Sequence, residues 1–403
     1  MNQGEFLGPR SFHLRVCFTS AVKYLLKMAL KIVSRAGPPL ALCGLLALAS
    51  QGQQPASPAS PPQTGEVKPL PAVLKWLPQT SGVLAKLTSV FFADRDHGWI
   101  VGSNSLVLST EDGGTTWKKT QLANHELLRD IFFFDTQRGY LVGEYSRFNR
   151  TDNKSPAERS FLMSTSDAGS YWRMADLARP SNPKTDALVR YGGETVLRIQ
   201  FVSDRVGWAC GETGLILLTR DGGRIWKMQR PAQVRKILYG LSALDEGMAW
   251  IVGAGGVALR TVDGGENWNE QTTGTTKALF AVRFVDAKRG WAVGADGTIL
   301  VTTNGGSRWR AQASGTNEDL NDVAFVTPQE GWAAGNRGTL LHTRDGGATW
   351  EDVSLNTRSH LTRLFFVAPD CGWVVGVNGL IFKYQWSDGT QRPALSTQEQ
   401  DED

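Results

Sequence analysis

The sequence predicts an all-β chain closed into a seven-bladed β-propeller, and three observations carry that prediction. The last Gly of a G-W-x-V-G segment falls at Gly102, Gly143, Gly211, Gly253, Gly294, Gly335 and Gly376, with spacings of 41, 68, 42, 41, 41 and 41 residues. Within each unit, for example Leu279 to Trp309, four short β-rich runs alternate with Gly, Asp and Asn turns. One such blade cannot bury both apolar faces alone, whereas a closed ring can. Finally, the seventh unit stops after three strands, and a matching strand stands alone at the other end of the folded region.

Residues 1–49 precede that region and read as a secretory leader. Lys31 and Arg35 stand before PPLALCGLLALA, which ends at Ala47-Leu48-Ala49, an A-x-A cleavage pattern. The run is too short for a comfortable span, which needs about 20 residues. An uncleaved anchor is the alternative, and Met28 offers a more typical start. Cys43 follows Leu42 inside the apolar run, a poor lipobox. Residues 50–69 are rich in Pro, Ser and Gln and read as an extended tether. The propeller is expected over 70–387, and an acidic, disordered tail over 388–403.

Charge excludes one class of partner. The 403 residues carry 43 Lys and Arg against 39 Asp and Glu, but the leader holds six of the bases and one of the acids. The remainder has 37 bases and 38 acids, a net of about −1, so nucleic acid is not an expected partner. Beyond the leader only Cys210 and Cys371 remain, in different repeats, so no disulfide framework is indicated. The histidines show no metal-ligand spacing, and no cofactor is expected.

The 14 tryptophans follow the repeat. Trp117, Trp172, Trp226, Trp268, Trp309, Trp350 and Trp76 hold one position of the unit. Trp99, Trp208, Trp250, Trp291, Trp332 and Trp373 hold another, where the second repeat has Tyr140. Such recurrence points to blade packing. Trp76-Leu-Pro-Gln-Thr-Ser-Gly82 parallels Trp268 to Gly274, so the N-terminal strand is expected as the outer strand of blade seven, hiding an exposed edge.

A box of the form T-x-D-G-G-x-x-W ends the first six repeats, with Asp112, Asp167, Asp221, Asp263, Asn304 and Asp345 at its acidic position. It lies where the third strand turns into the fourth. There the carboxylate can accept backbone N–H bonds and the glycines can adopt angles closed to other residues. Asn304 and Ala168 depart from the pattern, and six similar turns spread around a ring do not assemble one active site. The boxes are therefore expected to be scaffold, with no catalytic residue among them.

This box is the Asp-box, or bacterial neuraminidase repeat, of sialidases and sortilin-type receptors. The full unit, with F-x-x-x-x-x-x-G-W-x-V-G ahead of the box, resembles the photosystem II stability and assembly factor family from about Leu70 to Trp386. That resemblance implies an exported, non-enzymatic seven-bladed propeller, monomeric, that assists a protein client in a membrane complex. A sialidase-like glycoside hydrolase or glycan-binding propeller is the alternative. Against the hydrolase, the seven tyrosines supply no convincing Tyr-Glu pair and the R-I-P signature is absent.

Blade two carries two insertions, Glu144 to Ser160 and Arg173 to Thr195, expected on the face opposite the Asp-boxes. They hold Arg147, Arg150, Lys154 and Arg159, then Arg173, Arg179, Lys184 and Arg190. The next connection adds Lys227, Arg230, Arg235 and Lys236, for twelve basic against six acidic residues. This basic rim is the candidate partner-binding surface, periplasmic or extracellular in location.

Overall fold

The computed structural model describes residues 73–122, 127–145, 160–175, 194–229 and 234–387. Seven four-stranded antiparallel sheets follow one another, and the first strands of successive sheets touch in an unbroken cycle from blade one back to blade seven. Six sheets are sequential meanders, such as Leu279–Phe284, Gly290–Gly294, Ile299–Thr302 and Arg310–Gln312 in blade five. Blade seven contains Leu361–Ala368, Cys371–Gly376 and Ile381–Trp386, and Leu74–Gln79 completes it. Trp76 pairs with Tyr384 there, so the ring closes as the truncated seventh repeat requires. Next to that pairing, Val73 and Ser387 hold the two ends together through Ser387 N–H to Val73 O at 2.8 Å and Val73 N–H to Ser387 Oγ at 3.1 Å.

The repeated aromatic and glycine positions make one packing unit. The middle tryptophans are 2% exposed or less. Trp99 stacks on Phe133 of the next blade at 3.5 Å, and Trp291 stacks on Phe325 at 3.5 Å. The box tryptophan of that next blade then meets the same Phe edge-on, as Trp172 does Phe133 and Trp350 does Phe325. The Gly before each middle Trp is needed because the Phe ring lies across it. A Cβ on Gly290 would come within 2.7 Å of Phe284, and one on Gly331 within 2.6 Å of Phe325. Blade four has Ala243 where the others have Phe, and there alone the glycine becomes Ala249.

Each first strand also carries a bulge near its start, as between Leu87 and Ser89, Leu128 and Asp130, or Leu361 and Arg363. The extra residue shifts the position after it relative to the neighbouring ladder. No sequence pattern marks it, because Thr, Arg, Leu, Tyr, Phe and Asn all occupy the bulged site. Cys210 and Cys371 are free and buried, and burial above all pushes their thiols up to about 12 and about 11.

Candidate functional site

The two faces of the ring are built differently. On one, the turn between first and second strands meets the Asp-box of the same blade. Gly113 N–H bonds Asp96 O at 2.9 Å, and Gly346 N–H bonds Gln329 O at 2.7 Å; the other four boxes repeat the contact. Inside the box, the Thr hydroxyl donates to the carboxylate and accepts from the second Gly, as in Thr343 to Asp345 at 2.8 Å and Gly347 N–H to Thr343 at 2.8 Å. Asp345 also accepts Thr349 N–H at 2.9 Å and the Thr349 hydroxyl at 2.6 Å. Asp112, Asp167, Asp221 and Asp263 accept the corresponding backbone bond. Asn304 substitutes one oxygen, accepting Arg308 N–H at 2.9 Å.

These bonds favour the ionised form. Asp345 lies at about 2 because of the Thr349 hydroxyl, then Thr349 N–H and the Thr343 hydroxyl. Asp263 lies at about 2 because of Asn267 N–H, then the Asn267 amide and the Thr261 hydroxyl. A carboxyl held ionised to such low pH is not a general acid at neutral pH.

The box is also an inter-blade latch, which its sequence does not announce. The carbonyl of its first Gly, or Ala168 in blade two, accepts from the preceding blade. Trp99 Nε1 donates to Ala168 O at 2.8 Å, Tyr140 Oη to Gly222 O at 2.7 Å, and Trp291 Nε1 to Gly346 O at 2.9 Å. At two junctions a longer side chain takes over. Arg220 Nη2 donates to Gly264 O at 2.9 Å, and Gln79 Nε2 to Gly113 O at 3.1 Å.

On the opposite face the second-to-third turns meet the connections entering the next blade. Gly214 N–H bonds Lys236 O at 2.7 Å, and Gly379 N–H bonds Ala85 O at 2.7 Å. In blade two, Ser160 occupies this position. Its Oγ accepts Val196 N–H at 2.8 Å and donates to Glu194 O at 3.4 Å. The far ends of both insertions therefore meet at one hydroxyl.

The twelve basic candidates divide. Arg147, Arg150, Lys154, Arg159, Arg179, Lys184, Arg190 and Arg230 lie outside the described residues. Arg235 and Lys236 are exposed beside the Glu212–Gly214 turn, on the expected face. Arg173 and Lys227 are not on it. Each is one of the first residues of an outer strand, paired with Ser164 and Leu218, and such strands start beside the Asp-box. The structure thus corrects their placement: an insertion counted from the box tryptophan includes the strand that climbs between the faces. Arg173 sits over the ring of Tyr171, 5.7 Å from its centroid. Glu144, counted among the acids, is neutralised by Arg129 at 2.8 Å. Among the described residues no group of three or more His, Cys, Asp or Glu is placed to hold a metal.

Fold and faces together define a class, the seven-bladed β-propeller assembled from Asp-box repeats. The family model described as photosynthesis system II assembly factor YCF48 matches residues 69–183, 190–273, 268–360 and 320–385, and the chain belongs to that family. Two curated relatives are named photosystem II assembly lipoprotein Ycf48. That of Synechococcus sp. (strain CC9902) is 27% identical over 144 residues, 34% of this chain and 35% of the relative. That of Synechococcus sp. (strain RCC307) is 39% identical over 54 residues, 13% of this chain and 16% of the relative. The matched stretches thus span about a third or less of those relatives' own length.

Solved structures share the fold. YCF48 bound to D1 peptide matches with a TM-score of 0.60 and 24% identity, covering 77% of this chain and 94% of that one. YCF48 from Cyanidioschyzon merolae gives 0.59 and 21%, covering 77% and 98%. A virginiamycin B lyase from Staphylococcus aureus also gives 0.60, at 11% identity, covering 78% and 99%. The same ring therefore carries unrelated chemistry, and the fold does not by itself assign one.

Proposed function

We propose that this protein is a non-enzymatic assembly factor that holds a subunit of a membrane complex, by family likeness photosystem II, during its maturation. The observation that carries the reading is the family match, which runs through all seven blades. The naming of curated relatives as photosystem II assembly proteins supports it, as does a solved YCF48 bound to a D1 peptide. The chain works as a monomer outside the cytoplasm, on the periplasmic or lumenal side. Its leader and the lipoprotein relatives support export and N-terminal tethering.

The client docks on the face opposite the Asp-boxes, where both blade-two insertions end at Ser160 and where Arg235 and Lys236 are exposed. Basic loops there attract an acidic client segment, and the attraction is screened by salt. The test is affinity purification from detergent-solubilised membranes with the wild type and an R230E/R235E/K236E variant. Loss of client with an unchanged circular dichroism spectrum is expected. Equal recovery would remove this rim from consideration, and recovery of no membrane protein by either form would sink the assembly role.

A further inference from the structure

The axis of the ring carries charge that closure does not require. The first positions past the bulges include Asp130 in blade two, Arg198 in blade three, Asp322 in blade six and Arg363 in blade seven. Side chains from non-adjacent blades can meet only at the axis, and Arg363 of blade seven meets Asp130 of blade two. Arg363 Nη2 lies 3.4 Å from Asp130 Oδ1, and its Nε lies 3.7 Å from Asp322 Oδ2. Arg283 of blade five, two positions further along its strand, feels both Asp322 and Arg363. Of the three guanidiniums, Arg363 alone pairs with the two carboxylates.

Both carboxylates are already engaged. Asp130 accepts the Ser89 hydroxyl at 2.5 Å and Ile199 N–H at 3.0 Å, besides Arg363. Asp322 accepts Leu364 N–H at 2.8 Å. Among the described residues Arg198 forms no ion pair, and its Nε is sealed from solvent without a hydrogen-bond partner. Arg283 also forms no ion pair among them and is exposed. Burial first, and then the Arg363 charge, press the pKa of Arg198 down. A positive charge removed from bulk water and left unpaired is costly, and a bound anion relieves it.

The layer at the level of Arg283 adds a second feature. Its counterparts in blades seven, one and two are Phe365, Phe91 and Phe132, half-buried and in contact, with Phe91 5.0 Å from each of the others. An aromatic arc thus shares this layer with a guanidinium from the far side of the ring.

We infer that the axis of the ring, at the layer of Arg283, is a binding site for a small carboxylate with an apolar body, its charge on Arg198 and Arg283 and its body against Phe91, Phe132 and Phe365. Carboxylate suits the planar donor fork of arginine. This site is separate from the proposed client face, and either can fail without the other.

Benzoate, with benzamide as its neutral isostere, is the probe, read by titration calorimetry on the mature chain. Saturable one-to-one binding of benzoate and none of benzamide is expected, with R283Q about tenfold or more weaker at an unchanged melting temperature. Equal heats from the two probes, no binding at all, or R283Q binding like the wild type would each overturn the site. Should R283Q fail to fold, the benzoate and benzamide comparison on the wild type decides alone. Displacement of benzoate by Gly-Gly-Phe would assign the carboxylate to a peptide end, and binding without displacement would assign it to a free acid.

Discussion

Six blades close through a turn of their own chain, and the seventh closes through the opposite end of the protein. Where an Asp-box supplies the turn, the outer strand is two to four residues long, from Asn269–Glu270 and Glu351–Asp352 up to Lys118–Gln121 and Trp226–Gln229. Where no box exists, Leu74–Gln79 pairs over six positions. A covalent turn makes the last strand nearly free in entropy, whereas a strand arriving from the far terminus must be held by its own ladder and side chains. The comparison also isolates the latch. Trp291 finds the Gly346 carbonyl of the next blade's box, but Trp332 faces the boxless blade. It lies instead between Phe366 at 4.5 Å and His342 at 4.4 Å.

The largest effect that would break this picture is removal of the closing strand. A chain starting at Thr80 loses the pairing with Ile381–Trp386 and the packing of Trp76 on Phe366 and Tyr384. It should lose more than about 5 kcal/mol and aggregate through the opened edge. Denaturant melts showing near-wild-type stability would mean the ring does not depend on its last strand.

Next come the two tryptophans. Trp291→Ala empties a fully buried site and should cost about 3–5 kcal/mol. The sharper experiment compares Trp291→Phe with Trp332→Phe. The first forfeits the bond to Gly346 O and should cost about 1 kcal/mol more than the second, which has no box carbonyl to lose. Equal costs would remove the latch from the account.

Smaller again is the box carboxylate itself. Asp345→Ala should lower the melting temperature by about 2 °C, and Asp345→Asn by less, since Asn304 shows that one oxygen suffices for the main bond. The folded pKa is depressed from the ordinary 3.8 to about 2, so this stabilisation is present above about 4 and disappears as pH falls toward 2. Wild type and Asp345→Ala melts should converge across that window; a constant gap would contradict the linkage. Smallest is Ala168→Gly. Ala168 sits at φ 59 where sister boxes have Gly, so relief of that angle should stabilise by about 0.5–1 kcal/mol.

The sequence alone determined the blade count and the ring closure through Trp76, because each follows from a repeat read against its siblings. A missing element in one copy is as legible as its presence in six. The rim was only partly legible. Charge tallies assign residues to segments, but Arg173 and Lys227 belong to a strand crossing between faces, and their height on it depends on register. Only the tertiary structure decided the latch, since Trp99 and Ala168 are 69 residues apart and meet through a neighbouring blade. It alone also assembled Asp130, Arg198, Arg283, Asp322 and Arg363. Four of them share one repeat position, which reads Ser, Asp, Arg, Gly, Ala, Asp and Arg around the ring, and Arg283 lies two residues further on; periodicity, which reports what recurs, is silent about what converges on the axis.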